Sequence, residues 1–220
     1  MTVRPVCQDR PVRDLVICYS TPLEGEGLPR EIAGRSLTLV QTGVGPVNGA
    51  FALTRLLTAH SARAVIVCGV GGAYPGSELE PGDVACAETE TYGDLGADSP
   101  AGFLDMQALG FPVVNSNPPL FNTLPLDLFP AARRLPFVTC ATCTGTDAKA
   151  AELRARTNGA VESMEGAALV HVARLMQVKV GEVRGISNAV GTRDRATWRL
   201  KEAAANARAA LLAWIEAGAC

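Results

Sequence analysis

The apolar run AVIVCGVGG at residues 64–72 constrains the fold of this chain more than any other segment. A run of this kind is typical of a β-strand that is covered on both faces. Five further segments also have strand patterns: residues 15–19, 36–43, 82–91, 137–143 and 180–190. Helical patterns alternate with them at residues 46–59, 147–157, 163–177 and 195–216. This alternation predicts an α/β fold, a three-layer αβα sandwich around a mixed, mostly parallel central sheet.

The length and composition of the chain fit one globular domain. Its 220 residues are 48% hydrophobic and 19% charged, a balance that supplies a core and excludes disordered and fibrous classes. The formal charge of −2 provides no positive field for a nucleic-acid backbone. No uncharged apolar stretch reaches the roughly 18 residues of a membrane helix, and the N-terminal segment is charged where a signal peptide is apolar. We expect a cytoplasmic protein with a single domain over residues 1–220, of which 1–13 form an N-terminal extension.

The seven cysteines include one CxxC pair, Cys140 and Cys143. A zinc site needs about four ligands, yet there is no second CxxC pair, and the only histidines are His60 and His171. The segment FVTCATC is strand-like, unlike the strand-to-helix turn of a thioredoxin motif. We expect structural thiols, with no metal and no cofactor. A redox role is the alternative, and it predicts loss of function in Cys140→Ser.

Glycine-rich or acidic segments follow the predicted strands or begin a predicted helix. They are LEGE (23–26), TGVGPVNG (42–49), GVGGAYPG (69–76), ESMEGAA (162–168) and RGISNAV (184–190). Because ligands of open α/β sheets bind at the carboxyl ends of strands, these segments predict a binding site. The GxGxxxG spacing of TGVGPVNG differs from the GxGxxG of dinucleotide-binding loops, and no acidic residue follows at the distance of a ribose contact. NAD is therefore disfavoured.

Each candidate residue also has an ordinary structural interpretation. Glu24 and Glu26 could be solvated loop charges, and a carboxylate such as Glu165 is favourable near any helix N-terminus. His171 has apolar neighbours and is expected to be a core or interface histidine, and Trp198 is expected to pack in the core. The order of the motifs along the chain, rather than any single residue, carries the functional argument.

That order resembles a known family. The segments AVIVCGVGGAYPGSELEPGDV, VESMEGAALVHVA and VRGISNAV, preceded by PLEGE and TGVGPVNGA, resemble the nucleoside phosphorylase and nucleosidase superfamily from Leu15 onward. Within it, GGAYPGSELEPGDV, AETETYGDLGADSPAGF and ISNAVGTRDRATW most closely resemble the futalosine hydrolases. The resemblance implies a phosphorylase/hydrolase-like fold. It also implies a homodimer in which the loop at 92–130 helps to complete the neighbouring pocket.

The reaction that this resemblance implies is hydrolysis of an N-glycosidic bond, with water as the nucleophile. The substrate would be futalosine, and the products would be hypoxanthine and dehypoxanthine futalosine, in the alternative menaquinone pathway. One alternative is a nucleosidase for methylthioadenosine, S-adenosylhomocysteine or aminodeoxyfutalosine. Another is a purine nucleoside phosphorylase, for which Arg30 and Arg55 are poorly placed phosphate ligands. A third is a catalytically silent nucleoside-binding protein.

The resemblance also implies roles for individual side chains. The family's water-activating glutamate matches Glu26. Glu24 is the alternative match, because Pro22 and Gly25 depart from the commoner form of the family's motif. The family's Met-Glu pair, whose carboxylate holds the ribose hydroxyls, matches Met164 and Glu165. The roles of the remaining candidates concern the purine.

At the purine end, Gly71 and Gly72 match the turn that lines the nucleoside pocket, and Ser187 and Asn188 match a pair that is normally Ser-Asp. Hypoxanthine presents two acceptors there, N7 and O6, whereas adenine presents one acceptor and one donor. An aspartate would set a lone pair against O6, at a cost of about 1–3 kcal/mol. An amide NH2 offers two donor hydrogens instead. Asn188 therefore favours a 6-oxopurine, and we expect it to stabilise charge on the purine while solvent supplies the proton.

Overall fold

Strands and helices alternate along residues 12–218, the part of the chain that this computed structural model describes. The expected N-terminal extension, residues 1–13, lies almost entirely outside that range. The strands are β1 (Val12–Tyr19), β2 (Glu31–Ile32), β3 (Arg35–Gln41), β4 (Ser61–Ala73), β5 (Val84–Tyr92), β6 (Gly96–Ser99), β7 (Gly102–Asp105), β8 (Thr123–Pro125), β9 (Arg134–Thr139), β10 (Val161–Ser163) and β11 (Lys179–Ala189). The helices are α1 (Pro22–Gly25), α2 (Pro46–Ala59), α3 (Met106–Leu109), α4 (Asp147–Thr157), α5 (Gly166–Leu175) and α6 (Leu200–Glu216). Among the described residues, no helix is long and apolar enough to cross a bilayer.

A mixed sheet of nine strands forms the centre of the fold, in the order β10-β9-β5-β11-β4-β1-β3-β2, with β8 paired to β5. Strands β3, β1, β4 and β11 run parallel, whereas β5 runs antiparallel to β11. The short strand β10 pairs in parallel with β9 and also, antiparallel, with the end of β4, where Glu162 lies opposite Gly72. This second pairing closes one end of the sheet and holds β10 against the carboxyl end of β4.

Side chains alternate between the two faces of β1, as expected for a strand that is covered on both sides. Val16 and Cys18 pack in the cluster to which α2 and α5 contribute. Leu15 and Ile17 pack in the cluster to which α6 contributes. Helices therefore cover both faces of the sheet, and the predicted α/β architecture is confirmed.

The face covered by α6 depends on a small number of fully buried side chains, among them Leu211. We expect Leu211→Ala to lower the free energy of unfolding by about 2–5 kcal/mol, because it removes apolar contacts and leaves a cavity. Urea denaturation measures the change. The matched control is Leu175→Ala on α5, where the leucine is 57% exposed and the change should stay within about 0.5 kcal/mol. Equal losses in the two variants would contradict this account of the core.

Two predicted boundaries shift where the chain approaches β10. The strand predicted at 137–143 ends at Thr139, so the whole CATC segment, residues 140–143, lies in the loop beyond β9. The helix predicted at 163–177 begins only at Gly166, because residues 161–163 pair with two strands and cannot join the helix. Three residues are too short a run to show strand periodicity in the sequence.

The predicted helix at 195–216 is also divided. A 3₁₀ turn spans Arg195–Thr197, and α6 begins at Leu200. Between them, the backbone N–H of Arg199 donates to the carbonyl of Ser187 over 2.8 Å, which holds this segment against β11. The division therefore places the residues before α6 beside the end of β11.

Five free cysteines lie in the described range, and Cys7 and Cys220 lie outside it. Burial raises the pKa of Cys18 and of Cys68 to about 12. Cys143 is half-buried, and its Sγ lies 3.1 Å from the Sδ of Met164. Within residues 12–218, no group of three His, Cys, Asp or Glu side chains is arranged to hold a metal ion.

Candidate active site

A cavity of about 190 Å³ opens at the carboxyl ends of β1, β4 and β11. All five motifs singled out in the sequence contribute to its wall, through Glu24, Val44, Val70–Gly72, Glu162–Glu165 and Ser187–Gly191. The remaining lining residues are Ser20, Thr21, Cys143, Thr144, Arg193, Trp198 and Leu200. The topology thus brings motifs from distant parts of the chain into one site.

Most of the site residues proposed from the sequence lie on this wall. They are Gly71, Gly72, Met164, Glu165, Ser187 and Asn188. Glu26, the candidate for activating water, does not lie there. It is exposed and borders a separate groove with Tyr19 and Gln41.

The placement expected for Glu26 is therefore corrected: Glu24 is the carboxylate of LEGE that reaches the cavity. The segment forms the short helix α1 rather than the expected loop, and Glu24 lies within that helix with its side chain buried. Glu26 follows the end of α1 in extended backbone, and its carbonyl accepts a hydrogen bond from Arg208. The sequence alone could not show which of the two glutamates faces the cavity, because either one fits the LEGE motif until the position of the helix is known.

Glu24 is held by four hydrogen bonds. Its Oε2 accepts from the backbone N–H of Thr21 at 2.8 Å and of Ser20 at 3.1 Å, and from the Thr21 hydroxyl at 2.9 Å. Its Oε1 accepts from the N–H of Val70 at 2.9 Å. The side chain is 4% exposed, so these donors compensate for the loss of water. Within the described residues Oε1 accepts only this hydrogen bond, so it has a lone pair left for a ligand in the cavity.

Glu165 is the second cavity carboxylate, and it directly precedes α5, two residues after the end of β10. Its Oε1 accepts from the backbone N–H of Gly45 at 2.8 Å. Gly45 precedes α2 with φ 95°, a conformation that glycine adopts without strain. This contact explains the glycine-rich loop TGVGPVNG without a dinucleotide. Oε2 of Glu165 has no hydrogen bond within the described residues and stays free for a ligand.

Arg184 lies between the two carboxylates and was missed as an individual residue. Its Nη1 is 3.8 Å from Oε1 of Glu24, and its Nη2 is 3.8 Å from Oε2 of Glu165. Nε donates to Glu182 at 2.7 Å, and Nη1 donates to the carbonyl of Val70 at 3.1 Å. Burial lowers the pKa of Arg184, but the charges of Glu182, Glu165 and Glu24 outweigh it and hold the pKa above its usual value. The available signal was a pair of opposite charges, Glu182 and Arg184, inside a strand that is otherwise buried along most of its length.

Two glycines of β4 allow this close approach. A Cβ on Gly69 would lie 2.3 Å from Oε1 of Glu24 and 2.7 Å from Nη1 of Arg184. A Cβ on Gly72 would lie 2.8 Å from a methyl of Val190. Any larger residue at either position would displace the wall of the cavity.

Asn188 faces the cavity at the end of β11. The pairing of β11 with β4 shifts register between Ile186 and Asn188, and such a bulge redirects the side chains that follow it. The amide Oδ1 accepts from the hydroxyl of Ser187 at 2.7 Å, and Nδ2 donates to the carbonyl of Ala189 at 2.8 Å. One amide hydrogen therefore remains for a ligand, rather than the two expected from the sequence, because the other is committed to Ala189.

A third carboxylate of the wall, Glu162, already has partners for both oxygens. Its Oε2 accepts from the hydroxyls of Tyr74 and Thr144, each at 2.6 Å, and its Oε1 accepts from the N–H of Thr144 at 2.8 Å. Burial and the charge of Glu162 raise the pKa of Tyr74 above its usual value. Glu162 therefore fixes the loop at 144 to β10, and Glu24 and Glu165 are the carboxylates available for chemistry.

The two residues expected to be core or interface side chains differ in outcome. Trp198 is half-buried and lines the cavity, and the guanidinium of Arg193 lies 5.0 Å from its ring centroid. The core expectation for Trp198 is wrong, because the segment before α6 folds against the end of β11. His171 lies outside the cavity, with Nδ1 3.2 Å from the Tyr92 hydroxyl and Nε2 2.8 Å from the carbonyl of Val113.

Comparison with known proteins agrees with this architecture. The family model described as "Phosphorylase superfamily" matches residues 15–216. A futalosine hydrolase of Streptomyces coelicolor is 39% identical over 173 residues, which cover 76% of this chain and 73% of that protein. A futalosine hydrolase of Thermus thermophilus is 33% identical over 194 residues, 82% of this chain and 84% of that protein. The chain thus belongs to the phosphorylase superfamily and, within it, to the futalosine hydrolase family.

Solved structures show the same fold. The native structure of futalosine hydrolase of Helicobacter pylori matches with a TM-score of 0.77 and covers 93% of this chain and 98% of that one. The two sequences are only 14% identical, so this likeness concerns the fold alone.

Proposed function

We propose that this protein hydrolyses the N-glycosidic bond of futalosine, releasing hypoxanthine and dehypoxanthine futalosine. The observation that carries the proposal is that Glu24, Glu165 and Asn188 line one cavity, each with hydrogen-bonding capacity left for a ligand. The choice of futalosine as the substrate rests on the family relationship. The choice of hydrolysis as the reaction rests on the arrangement of these side chains.

In the proposed mechanism, Glu24 acts on the nucleophile. A water donates to the free lone pair of Oε1 and attacks the anomeric carbon as the bond to the purine nitrogen breaks. The proton of the water passes to Glu24, and the purine takes a proton from solvent. General base catalysis of this kind contributes roughly 10²–10⁴-fold.

Glu165 acts on the sugar. Glycosidic cleavage passes through an oxocarbenium-like state, in which hydrogen bonds to the sugar hydroxyls strengthen. The unoccupied Oε2 of Glu165 can accept from the ribose hydroxyls, while Gly45 fixes Oε1. Asn188 donates its remaining hydrogen to the purine and stabilises the negative charge that develops there.

Phosphorolysis has less support. A phosphate nucleophile requires cationic side chains beside the ribose, yet Arg184 is already surrounded by carboxylates. Arg30 and Arg55 are exposed and do not line the cavity, and the guanidinium of Arg193, which does line it, lies over the ring of Trp198. A second anion between Glu24 and Glu165 would be repelled, whereas a neutral water would not.

The test is turnover of a substrate panel: futalosine, aminodeoxyfutalosine, methylthioadenosine, and inosine with and without phosphate. We expect release of hypoxanthine from futalosine without phosphate, at a kcat/KM above that of every other substrate. Phosphate-dependent turnover of inosine would establish a phosphorylase instead. Binding of futalosine without release of any base would establish a silent binding protein.

We also propose a homodimer, in the cytoplasm, with α2 at the interface. Val47 and Phe51 of α2 are 80% and 65% exposed, which is unusual for large apolar side chains and fits a second copy of the chain. We expect Phe51→Glu to shift the protein from dimer to monomer in sedimentation velocity. Ala213→Glu, on the exposed side of α6 across the sheet, is the control and should leave the dimer intact. A wild-type monomer would contradict the proposal.

A further inference from the structure

Three neighbouring buried atoms behind the cavity have no hydrogen-bond partner within the described residues. They are Oε1 of Glu90, Oε2 of Glu182 and Nη2 of Arg184. Glu90 and Glu182 are both fully buried, on the adjacent strands β5 and β11. Buried polar groups normally have partners, so a cluster of orphaned atoms beside a catalytic site requires an explanation.

The two orphaned carboxylate oxygens face the same backbone atom. A Cβ on Gly166 would lie 2.0 Å from Oε1 of Glu90 and 2.5 Å from Oε2 of Glu182. Glycine at this first position of α5 therefore makes room for the pair. Two buried carboxylates this close cannot both be charged. One proton between them forms an O–H···O bond that satisfies both orphaned oxygens at once.

The other contacts decide which residue carries that proton. The second oxygen of Glu182 accepts from the cationic Nε of Arg184 at 2.7 Å, a contact that favours the charged carboxylate over the neutral acid. Within the described residues, the second oxygen of Glu90 accepts only from the neutral hydroxyl of Thr139, at 2.8 Å. Burial and then the charge of Glu182 raise the pKa of Glu90 well above its usual range. Glu90 is therefore the protonated member of the pair, and its O–H donates to the orphaned oxygen of Glu182.

We propose that Glu90 and Glu182 share one proton and act as positioning residues, anchoring Arg184 so that its guanidinium stays between Glu24 and Glu165 without bonding to either. The proposal rests on the proposed function for its catalytic consequence. The guanidinium is planar, so fixing Nε on Glu182 and Nη1 on Val70 also fixes Nη2.

The anchoring matters because of the two distances of 3.8 Å. At that separation Arg184 lowers the electrostatic cost of two nearby anions. It does not occupy the lone pairs that the water and the ribose hydroxyls need. Without the anchor, the guanidinium would move to a closer ion pair with Glu24 or Glu165 and withdraw one of them from the reaction.

Residues from three strands and from α5 surround Glu90 and Glu182. Tyr92 lies on the same strand as Glu90, Thr139 on β9, and Arg184 on β11, while α5 contributes Gly166. Among the described residues around the pair, Arg184 is the facing cation. Deprotonation of Glu90 would therefore give the Glu90–Glu182 pair a second negative charge. The guanidinium beside the pair already faces Glu24 and Glu165.

The first experiment compares Glu90→Gln, Glu182→Gln and the control Glu88→Gln, which changes an exposed glutamate of the same strand. The amide of Glu90→Gln can donate to Glu182 and accept from Thr139, so we expect kcat near pH 6 within about twofold of wild type. We expect Glu182→Gln to lower kcat by about 10- to 100-fold with a smaller change in KM, as for a misplaced catalytic group. Glu88→Gln should change neither.

The second experiment needs no substrate. The native state holds the Glu90 proton more tightly than the unfolded chain, so wild-type stability falls as pH rises from about 4.5 through the raised pKa. Relative to Glu90→Gln, the wild-type unfolding constant should rise by up to tenfold per pH unit in that window. Parallel stability profiles for the two proteins would overturn the shared proton, whatever the activity.

A crystal structure of Glu182→Gln separates positioning from function. We expect Arg184 within hydrogen-bond distance of Glu24 or Glu165; an unmoved guanidinium would overturn the positioning role. If Glu182→Gln fails to fold, Glu182→Asp, which keeps the charge but shortens the side chain, replaces it. If futalosine is not hydrolysed, the proposed function fails, while the stability profiles and the crystal structure still decide the arrangement of the cluster.

Discussion

Replacing Glu24 by glutamine should lower kcat for futalosine by about 10²–10⁴-fold, because an amide cannot take the proton of the attacking water. Glu26→Gln, the same change two residues away on an exposed side chain, should leave kcat within about twofold. Initial rates of hypoxanthine release at saturating futalosine measure both. If Glu26→Gln lowered kcat more than Glu24→Gln does, Glu26 and not Glu24 would be the residue that activates water.

The Glu24 variant requires a check on folding. Its carboxylate accepts from four donors, and the NH2 of a glutamine would face at least one of them. We expect a stability cost of about 1–3 kcal/mol, which leaves most domains folded at 25 °C. Circular dichroism and urea denaturation establish this before the rates are compared. A folded, fully active Glu24→Gln protein would contradict the proposed mechanism.

Asn188→Asp should change the preference between purines. One carboxylate oxygen would replace Nδ2, which donates to the carbonyl of Ala189 at 2.8 Å, and it would also face the O6 of hypoxanthine. In both contacts, with the Ala189 carbonyl and with O6, one acceptor would then face another acceptor. We therefore expect kcat/KM for futalosine to fall by about 5- to 150-fold, the equivalent of 1–3 kcal/mol. An adenine nucleoside presents a donor at that edge, so the ratio of aminodeoxyfutalosine to futalosine turnover should rise.

The matched control for this specificity change is Asn115→Asp, an exposed position outside the cavity. It introduces the same charge and should alter neither substrate. If Asn188→Asp left futalosine turnover untouched and adenine substrates gained nothing, the recognition of the purine by Asn188 would have to be abandoned.

Local patterns in the sequence were sufficient for the main elements. The helices predicted at 46–59 and 147–157 have the bounds of α2 and α4. Their ends carry local signals: Pro46 begins α2, Thr146 caps α4 by accepting from the N–H of Lys149, and Asn158 ends α4 in the left-handed region. Such signals depend on neighbouring residues alone, so they can be read without a structure.

Longer patterns also identified the motifs of the site, since the carboxyl ends of parallel strands meet at one edge of a sheet. The order of the motifs was enough to indicate the family, and the resemblance to that family pointed to Glu165 and Asn188 as candidates. The short elements at residues 96–109 were missed because a hairpin of four-residue strands and a one-turn helix are too short to show periodicity. The strand at residues 123–125 was missed because it depends on pairing with the distant strand β5.

The sequence by itself determined the alternation of buried strands and helices, the segments that meet at the site, and the family. Only the tertiary structure decided that Glu24 rather than Glu26 enters the cavity, and that Glu90, Glu182 and Arg184 meet behind it. The physical reason is that hydrophobic periodicity reports which face of an element is buried. The state of a buried charge depends on partners that lie on other strands, far away in the sequence.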